Sequence, residues 1–400
     1  MLLLQRHGGT NLIAIENGKI ITPDRIIEDQ VLFIGEDRIL GFTDSVMGAE
    51  KVVNAHGRYI IPGLIDVHSD KIEQYISPRP TSQVDFEFAL KTCERDLLGA
   101  GITTMYHSLS LFADEIFGKS PLRTRESVQK IADLIANIHL RNHLIHNRFH
   151  LRIEIDNMEA FDIVRDMIDQ GKVHLISFMD HTPGQGQYSD LALYHDAVTK
   201  YNGKEIDTLG FDGVLEHHKN KSMLSLKQLK ELAALAREKG LAVASHDDDT
   251  DEKLALNKEI GVDISEFPIT MDAAKAAKER GFYTVVGAAN ILRNGSHSGN
   301  LSATEAVLED CADIICSDYY PAAILHSIFL MHSNYGVPLP KMMNRATLTP
   351  AKATKIDKDY GSVEAGKKAD LLIVDVMDGY PVVTHAFVDG RTTYRVEYRR

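Results

Sequence analysis

Short, near-continuous apolar runs recur through the middle of the chain, at residues 60–67, 101–106, 150–155, 174–179, 241–245, 263–267, 284–288 and 313–317. Strands that are apolar on both faces are what a parallel sheet covered by helices requires. Helices are legible between the runs. Ser225 and Gln228 are spaced as a capping box, Leu226, Leu229, Leu232 and Ala236 follow a helical stripe, and Gly240 stops it. Ser302 and Glu305 repeat the capping pattern, and Ile131, Leu134, Ile135 and Ile138 form another apolar face. Eight strands with intervening helices predict an α/β (β/α)8 TIM-like barrel, although an open doubly wound sheet reads similarly.

The ends of the chain have a different texture. Residues 11–61 break into short β-branched or apolar stretches, such as Leu12-Ile13-Ala14-Ile15 and Val31-Leu32-Phe33-Ile34, punctuated by Glu16-Asn17-Gly18-Lys19 and Gly35-Glu36-Asp37. The tail repeats this with Leu371-Leu372-Ile373-Val374 and Ala386-Phe387-Val388 around Asp389-Gly390. The economical reading joins residues 10–60 and 358–396 in one small β-sandwich domain beside a barrel of residues 61–357.

Composition adds exclusions. A chain of 400 residues with 44% hydrophobic and 25% charged content can bury a large core without staples. Its three cysteines form no CxxC pair or disulfide framework, so a reducing cytoplasm is the simplest setting. Met1-Leu2-Leu3-Leu4 is too short for a signal peptide or membrane span. A net charge of −13 argues against nucleic acid or an anionic membrane as partner, but an anionic small molecule can still bind in a locally positive cleft. Self-association into a homo-oligomer is left open.

The chemistry lies at the strand ends. His68 and Asp70 follow Pro62-Gly63-Leu64-Ile65-Asp66-Val67, two residues apart, and so project to one side. Alone, such a pair is more often a solvated strand end. It is joined by His181 after residues 174–180, His246 after 241–245, Asp318 after 313–317, and Glu154 inside Leu151-Arg152-Ile153-Glu154-Ile155. Carboxyl ends of barrel strands converge on one face, and imidazole with carboxylate suits a divalent transition metal. Lys71, Arg79 and Arg152 are candidate phosphate partners, with pairing to surface carboxylates as the bland alternative. Asp247 beside His246 could orient that ligand, while His107 is open between substrate contact and core.

Pro62-Gly63-Leu64-Ile65-Asp66-Val67-His68, Gly101-Ile102-Thr103-Thr104, and Gly361 through Gly366-Lys367-Lys368-Ala369-Asp370-Leu371 together resemble the signature of the amidohydrolase superfamily. Within it, His68-Ser69-Asp70-Lys71, Ser77-Pro78-Arg79-Pro80, residues 177–185, Ala244-Ser245-His246-Asp247-Asp248, Glu266-Phe267-Pro268, residues 295–300 and Ser317-Asp318-Tyr319-Tyr320 are similar to the amidohydrolases of phosphonate degradation. That resemblance implies a divalent metal, one or two per chain, with zinc favoured over manganese or iron. The implied ligands are His68, Asp70, Glu154, His181, His246 and Asp318, and Asp318 doubles as the proton acceptor. It also implies a phosphorylated small-molecule substrate, a ribosyl phosphonate triphosphate that loses pyrophosphate, with His297, Ser298, Asn300 and Tyr319 as further substrate contacts. The family usually carries HxH where this chain has HxD. It places a bridging lysine or glutamate on its fourth strand, whereas Glu154 counts as third unless a short strand lies between 107 and 150. A deaminase or cyclic amidase on the same scaffold is the alternative enzyme, and a barrel without activity is the third reading.

Overall fold

A computed structural model of the protein describes residues 12–79, 81–111, 122–180, 213, 221–293 and 300–399. Eight parallel strands lie side by side in chain order: Leu64–Ser69, Ile102–Leu111, His146–Glu154, Leu175–Met179, Ala242–His246, Ile264–Glu266, Tyr283–Gly287 and Ile314–Cys316. The first and last meet at a parallel bridge between Ser69 and Asp318. There the Asp318 amide donates to the His68 carbonyl and the Asp70 amide to the Asp318 carbonyl, each at 3.0 Å. These bonds bring the sheet round into a nearly closed barrel and decide against the open sheet. Seven of the predicted runs coincide with barrel strands, and the eighth, 60–67, is divided between the terminal-sheet strand Tyr59–Pro62 and the first barrel strand. Among the described residues no additional strand lies between 107 and 150, so Glu154 does belong to the third strand.

Period-two alternation explains how the strands divide their side chains. Ile65, Val67, Tyr106, Leu175, Ala242, Ala244, Ile264, Val285, Ile314 and Cys316 pack together inside the barrel. Their neighbours, including Leu64, Met105, Leu151, Ile153, Val243 and Ile315, pack in a separate core with the apolar faces of helices such as Arg125–Asn137 and Leu226–Glu238. The Ser225–Gln228 capping box is present at the start of the latter helix.

Two of the recognised motifs touch each other. A Cβ on Gly63 would lie 2.1 Å from Thr103 Oγ1, so the chain can pass there only as glycine. Gly63 also donates its amide to the Asp370 carbonyl at 2.8 Å, joining the entry of the barrel to the tail motif.

The ends form two sheets. Leu12–Glu16, Val31–Gly35, Arg38–Thr43 and Lys51–Asn54 make a four-stranded sheet. In the second, Tyr59–Pro62 pairs antiparallel with Leu371–Met377 and parallel with Lys19–Ile21, so both ends of the chain contribute. Ile15, Leu32 and Ile34 of the first share a core with Ile60, Leu371, Ile373 and Phe387 of the second. The C-terminal strands thus enter only one of the two sheets.

His146, at the start of the third strand, lies with Nε2 3.0 Å from Asp370 Oδ2 and ties the barrel to the tail. Burial draws its pKa down, but the charge and hydrogen bond of Asp370 and the charge of Asp389 outweigh this, leaving it above the ordinary histidine value. A histidine with a raised folded-state pKa contributes stability that is complete below its unfolded pKa and is lost as pH rises through the folded one. The stability difference between the protein and His146→Gln should therefore shrink from about pH 6 to about pH 9, bracketing the ordinary histidine pKa. Denaturant unfolding at both pH values checks this, and an unchanged difference would assign His146 a packing role alone.

Candidate active site

The carboxyl ends of the strands open into a cavity of about 280 Å3, lined by His68, Asp70, Arg152, His246, Asp247, Phe267, Asn290, Asn300, Asp318 and Tyr319, among others. Each chemical group reaches it by the alternation of its strand. His150, Arg152 and Glu154 share a parity on the third strand, opposite to Leu151 and Ile153 in the outer core. His246 follows the inward Ala242 and Ala244, Glu266 follows Ile264, and Asp318 follows Ile314 and Cys316. The first strand differs. Its register with the second shifts between Asp66 and Ser69, a bulge that re-aims the His68 side chain into the mouth. Asp70 then stands at the position before the short helix Lys71–Ile76 without a capping hydrogen bond from its side chain.

Two groups of donor atoms converge here, His68 with His246 and Glu266, and His68 with Asp70 and Asp318, each with its atoms within 4.8 Å of one another. His68 Nδ1 lies 3.1 Å from Glu266 Oε1. With the proton on Nδ1 the imidazole donates to that carboxylate and keeps its Nε2 lone pair for a ligand. Burial, then the positive charges of Arg152 and His246, hold the His68 pKa well below its usual value, so the ring is neutral as metal ligation requires. His246 Nδ1 lies 2.9 Å from Asp247 Oδ2, the carboxylate of the next residue in the chain. Asp70 Oδ1 and Glu266 Oε2 are buried and accept no hydrogen bond from the described residues. A neutral His68 imidazole, a second imidazole and under-satisfied carboxylates around one point fit a divalent cation.

The carboxyl of Asp318 is pushed up to about 7 by desolvation in the cleft and by the charge of Asp70. Burial pushes Glu266 upward as well, with the charge of Arg152 acting against it. Like charges crowded in this way are relieved by a cation between them.

The backbone is strained at the same rim. Asp247, Phe267 and Asp318, following the fifth, sixth and eighth strands, have φ of +53°, +55° and +61°. Aspartate tolerates the left-handed region, but a phenylalanine there costs on the order of 1–3 kcal/mol. The Phe267 ring sits 5.0 Å from both His68 and His246, so the strained residue walls the donor cluster.

Among the described residues that line the cavity, Arg152 is the one arginine or lysine. It is buried, its Nε donates to the thioether of Met179 at 3.3 Å, and its Nη1 stands 3.9 Å from Asp70 Oδ2. The second of these is an ion pair near the limit of its range. Arg123, which sequence reasoning missed, approaches the same Asp70 oxygen at 3.7 Å and donates to Glu73 at 3.1 Å. Lys71 turns to Gln74 and the face of Tyr75, and Arg79 lies exposed on the following loop, so neither lines the cavity.

Other expected residues fall as follows. Asn300 and Tyr319 line the cavity. Glu154 is buried on its strand but is not in either converging group. His181, His297 and Ser298 lie outside the described residues. His107 faces away from the mouth, 2.8 Å from Asn147 Oδ1, and burial takes it down to about 4, which makes it a core residue. Two inward groups went unassigned from sequence, Glu266 and His150. Glu266 carries the same signal as His246 and Asp318, an ionisable residue closing an apolar run. His150 has the parity of Arg152 and Glu154. It donates or accepts at Ser177 Oγ (2.9 Å), and burial lowers it to about 3, so it is a neutral floor beneath Glu266.

Known proteins share this arrangement of chain. Residues 212–393 match the profile of the amidohydrolase family. The alpha-D-ribose 1-methylphosphonate 5-triphosphate diphosphatase of Escherichia coli is 29% identical over 388 residues, covering 95% of this chain and all of that protein. Among solved structures, N-acetylglucosamine-6-phosphate deacetylase from Pasteurella multocida is similar with a TM-score of 0.64 at 12% identity, covering 95% of this chain and 99% of its own. Dihydropyrimidinase from Brevibacillus agri has a TM-score of 0.65 at 13% identity, covering 96% and 95%. At such identities the two structures bear on the fold alone. Among the described residues no helix is long and apolar enough to cross a membrane.

Proposed function

Given that this chain belongs to the amidohydrolase superfamily, we propose that it is a metal-dependent diphosphatase acting on a small molecule, the 5-triphosphate of a ribosyl 1-phosphonate. The observation that carries the phosphate specificity is Arg152, a buried guanidinium beside the donor cluster whose ion pair among the described residues is a long one, 3.9 Å to an Asp70 oxygen that Arg123 also approaches. So long an ion pair leaves the guanidinium fork able to take a phosphate oxygen pair, which matches it in geometry. A neutral cyclic amide, the substrate of the alternative reading, has no group for it. The whole-length similarity to a protein named for this reaction supports the same substrate.

The proposed ligands are His68, Asp70, His246, Glu266 and Asp318, with Glu154 and His181 completing the set, and zinc, manganese or iron at one or two per chain. Bound there, such an ion supplies Lewis-acid polarisation and lowers the pKa of water. Arg152 binds the polyphosphate and offsets charge as it moves to the leaving group. Asp318 accepts the proton of the attacking water, whose oxygen adds to the α-phosphorus while the bridging oxygen departs with pyrophosphate. His150, Ser177 and Glu266 hold His68 in place from below, and Phe267 shields one side of the cluster from water.

The test is to supply the metal-stripped protein with zinc, manganese or iron(II) and follow products by phosphorus NMR, using ribosyl 5-triphosphates beside a panel of cyclic amides. Metal-dependent appearance of pyrophosphate and the 5-phosphate is the expected result. Turnover of a cyclic amide with none of the triphosphates would replace this reading by the amidase one.

A further inference from the structure

One fully buried carboxylate next to the mouth takes no part in the chemistry above. Asp248 does not line the cavity. Its Oδ2 accepts from Ser245 Oγ at 2.6 Å and Ser265 Oγ at 2.5 Å, and its Oδ1 accepts from Asn257 Nδ2 at 2.7 Å. All four residues are buried. Ser245 and Ser265 are paired in register on the fifth and sixth strands, and the next pair along is His246 with Glu266. Because strand side chains alternate, the two serines point away from the barrel interior while their successors point into it. A single carboxylate oxygen therefore staples the two strands from outside, one residue before both donors leave them.

The main chain reinforces this. The Asp247 amide donates to the Glu266 carbonyl at 2.9 Å and the Ile269 amide to the Asp248 carbonyl at 2.9 Å, spanning both left-handed turns. Lys253 Nζ donates to the carbonyls of His246 and Asp247 at 3.3 and 3.1 Å. Asn257 anchors the assembly to the helix Asp251–Ile260. Burying a carboxylate is costly, and apolar groups could fill the same space at less expense. What three short hydrogen bonds from two strands and a helix supply is a fixed geometry.

We infer that Asp248 is a positioning residue that sets the spacing of His246 and Glu266, and through it the affinity of the cluster for a divalent cation. The inference rests on the metal-binding part of the proposed function and not on the identity of the substrate. Asp248→Ala leaves two buried hydroxyls and an amide without their acceptor. Asp248→Asn keeps one oxygen for the serines, and the Asn257 amide can turn to accept from the new amide.

Zinc affinity of the full, metal-stripped chain is measured by competition with a chromophoric chelator, with circular dichroism as the check on folding. Asp248→Ala is expected to weaken zinc binding by about 10- to 100-fold, the usual effect of losing an outer-shell partner. Asp248→Asn is expected to restore nearly all of it. A folded Asp248→Ala chain that binds zinc like the wild type overturns the inference, as does an Asn variant as weak as the Ala one. Should the Ala variant not fold, the double change Ser245→Ala with Ser265→Ala removes the staple and decides by the same readout. A wild-type chain that takes up none of zinc, manganese and iron(II) overturns the metal reading itself, an outcome distinct from the others.

Discussion

Asp318→Asn is expected to lower turnover of the ribosyl triphosphate by about 10^2- to 10^4-fold, the range associated with loss of a positioned proton acceptor. The position of this residue is set by its backbone. Its amide and carbonyl bond to His68 and Asp70 across the closing seam of the barrel, at 3.0 Å each. Asparagine is of the same size and tolerates the left-handed conformation that Asp318 adopts at φ +61°. The change therefore keeps the seam and removes only the carboxylate. It also removes repulsion with Asp70, which contributes to holding the Asp318 carboxyl near 7. Stability should thus be unchanged or slightly higher while activity collapses. Steady-state rates at saturating substrate, beside the thermal midpoint, measure both. Near-normal turnover would take Asp318 out of the mechanism, and a large fall in the midpoint would recast it as a structural residue.

The second large effect concerns substrate binding. Arg152→Met keeps a long side chain on the third strand and deletes the guanidinium. A hydrogen bond to a charged group is worth about 1.5–3 kcal/mol, so KM for the triphosphate should rise roughly 10- to 100-fold. A monophosphate analogue, with less charge to place, should be affected much less as an inhibitor. Turnover should fall too where the contact strengthens as charge shifts to the departing pyrophosphate. Arg152→Lys keeps the charge but loses the planar fork, so an intermediate value is expected. The comparison of KM for the triphosphate with the inhibition constant of the monophosphate is the measurement. Equal losses for both would mark Arg152 as a structural partner of Asp70 and Met179.

Lys71 and Arg79 show where sequence reasoning about this basin reached its limit. Their closeness to His68 in sequence suggested closeness to the cavity. The helix Lys71–Ile76 instead carries Lys71 towards Gln74 and Tyr75, and the loop beyond exposes Arg79. Arg152 was legible because it sits in a strand, where a two-residue offset from Glu154 ensures a common direction. Arg123 precedes a helix and carries no periodic signal, and only packing against Asp70 and Glu73 reveals it. Glu266 had a readable signal, since it closes a strand as His246 does, but its significance depends on a partner far away in sequence.

The chain's own pattern was sufficient to specify eight buried strands, the β-rich ends and the strand-end position of His68, His246 and Asp318. These are local properties, written in a period of two and in the residues that cap and stop helices. Tertiary structure alone decided that the sheet closes, because closure depends on hydrogen bonds of His68 and Asp70 with Asp318, which come from the two opposite edges of the sheet. It also decided that a bulge between Asp66 and Ser69 turns His68 inward, and that Glu266 comes within 3.1 Å of it across 198 residues. Convergence of this kind follows from strand twist and barrel geometry, which no short window of residues encodes.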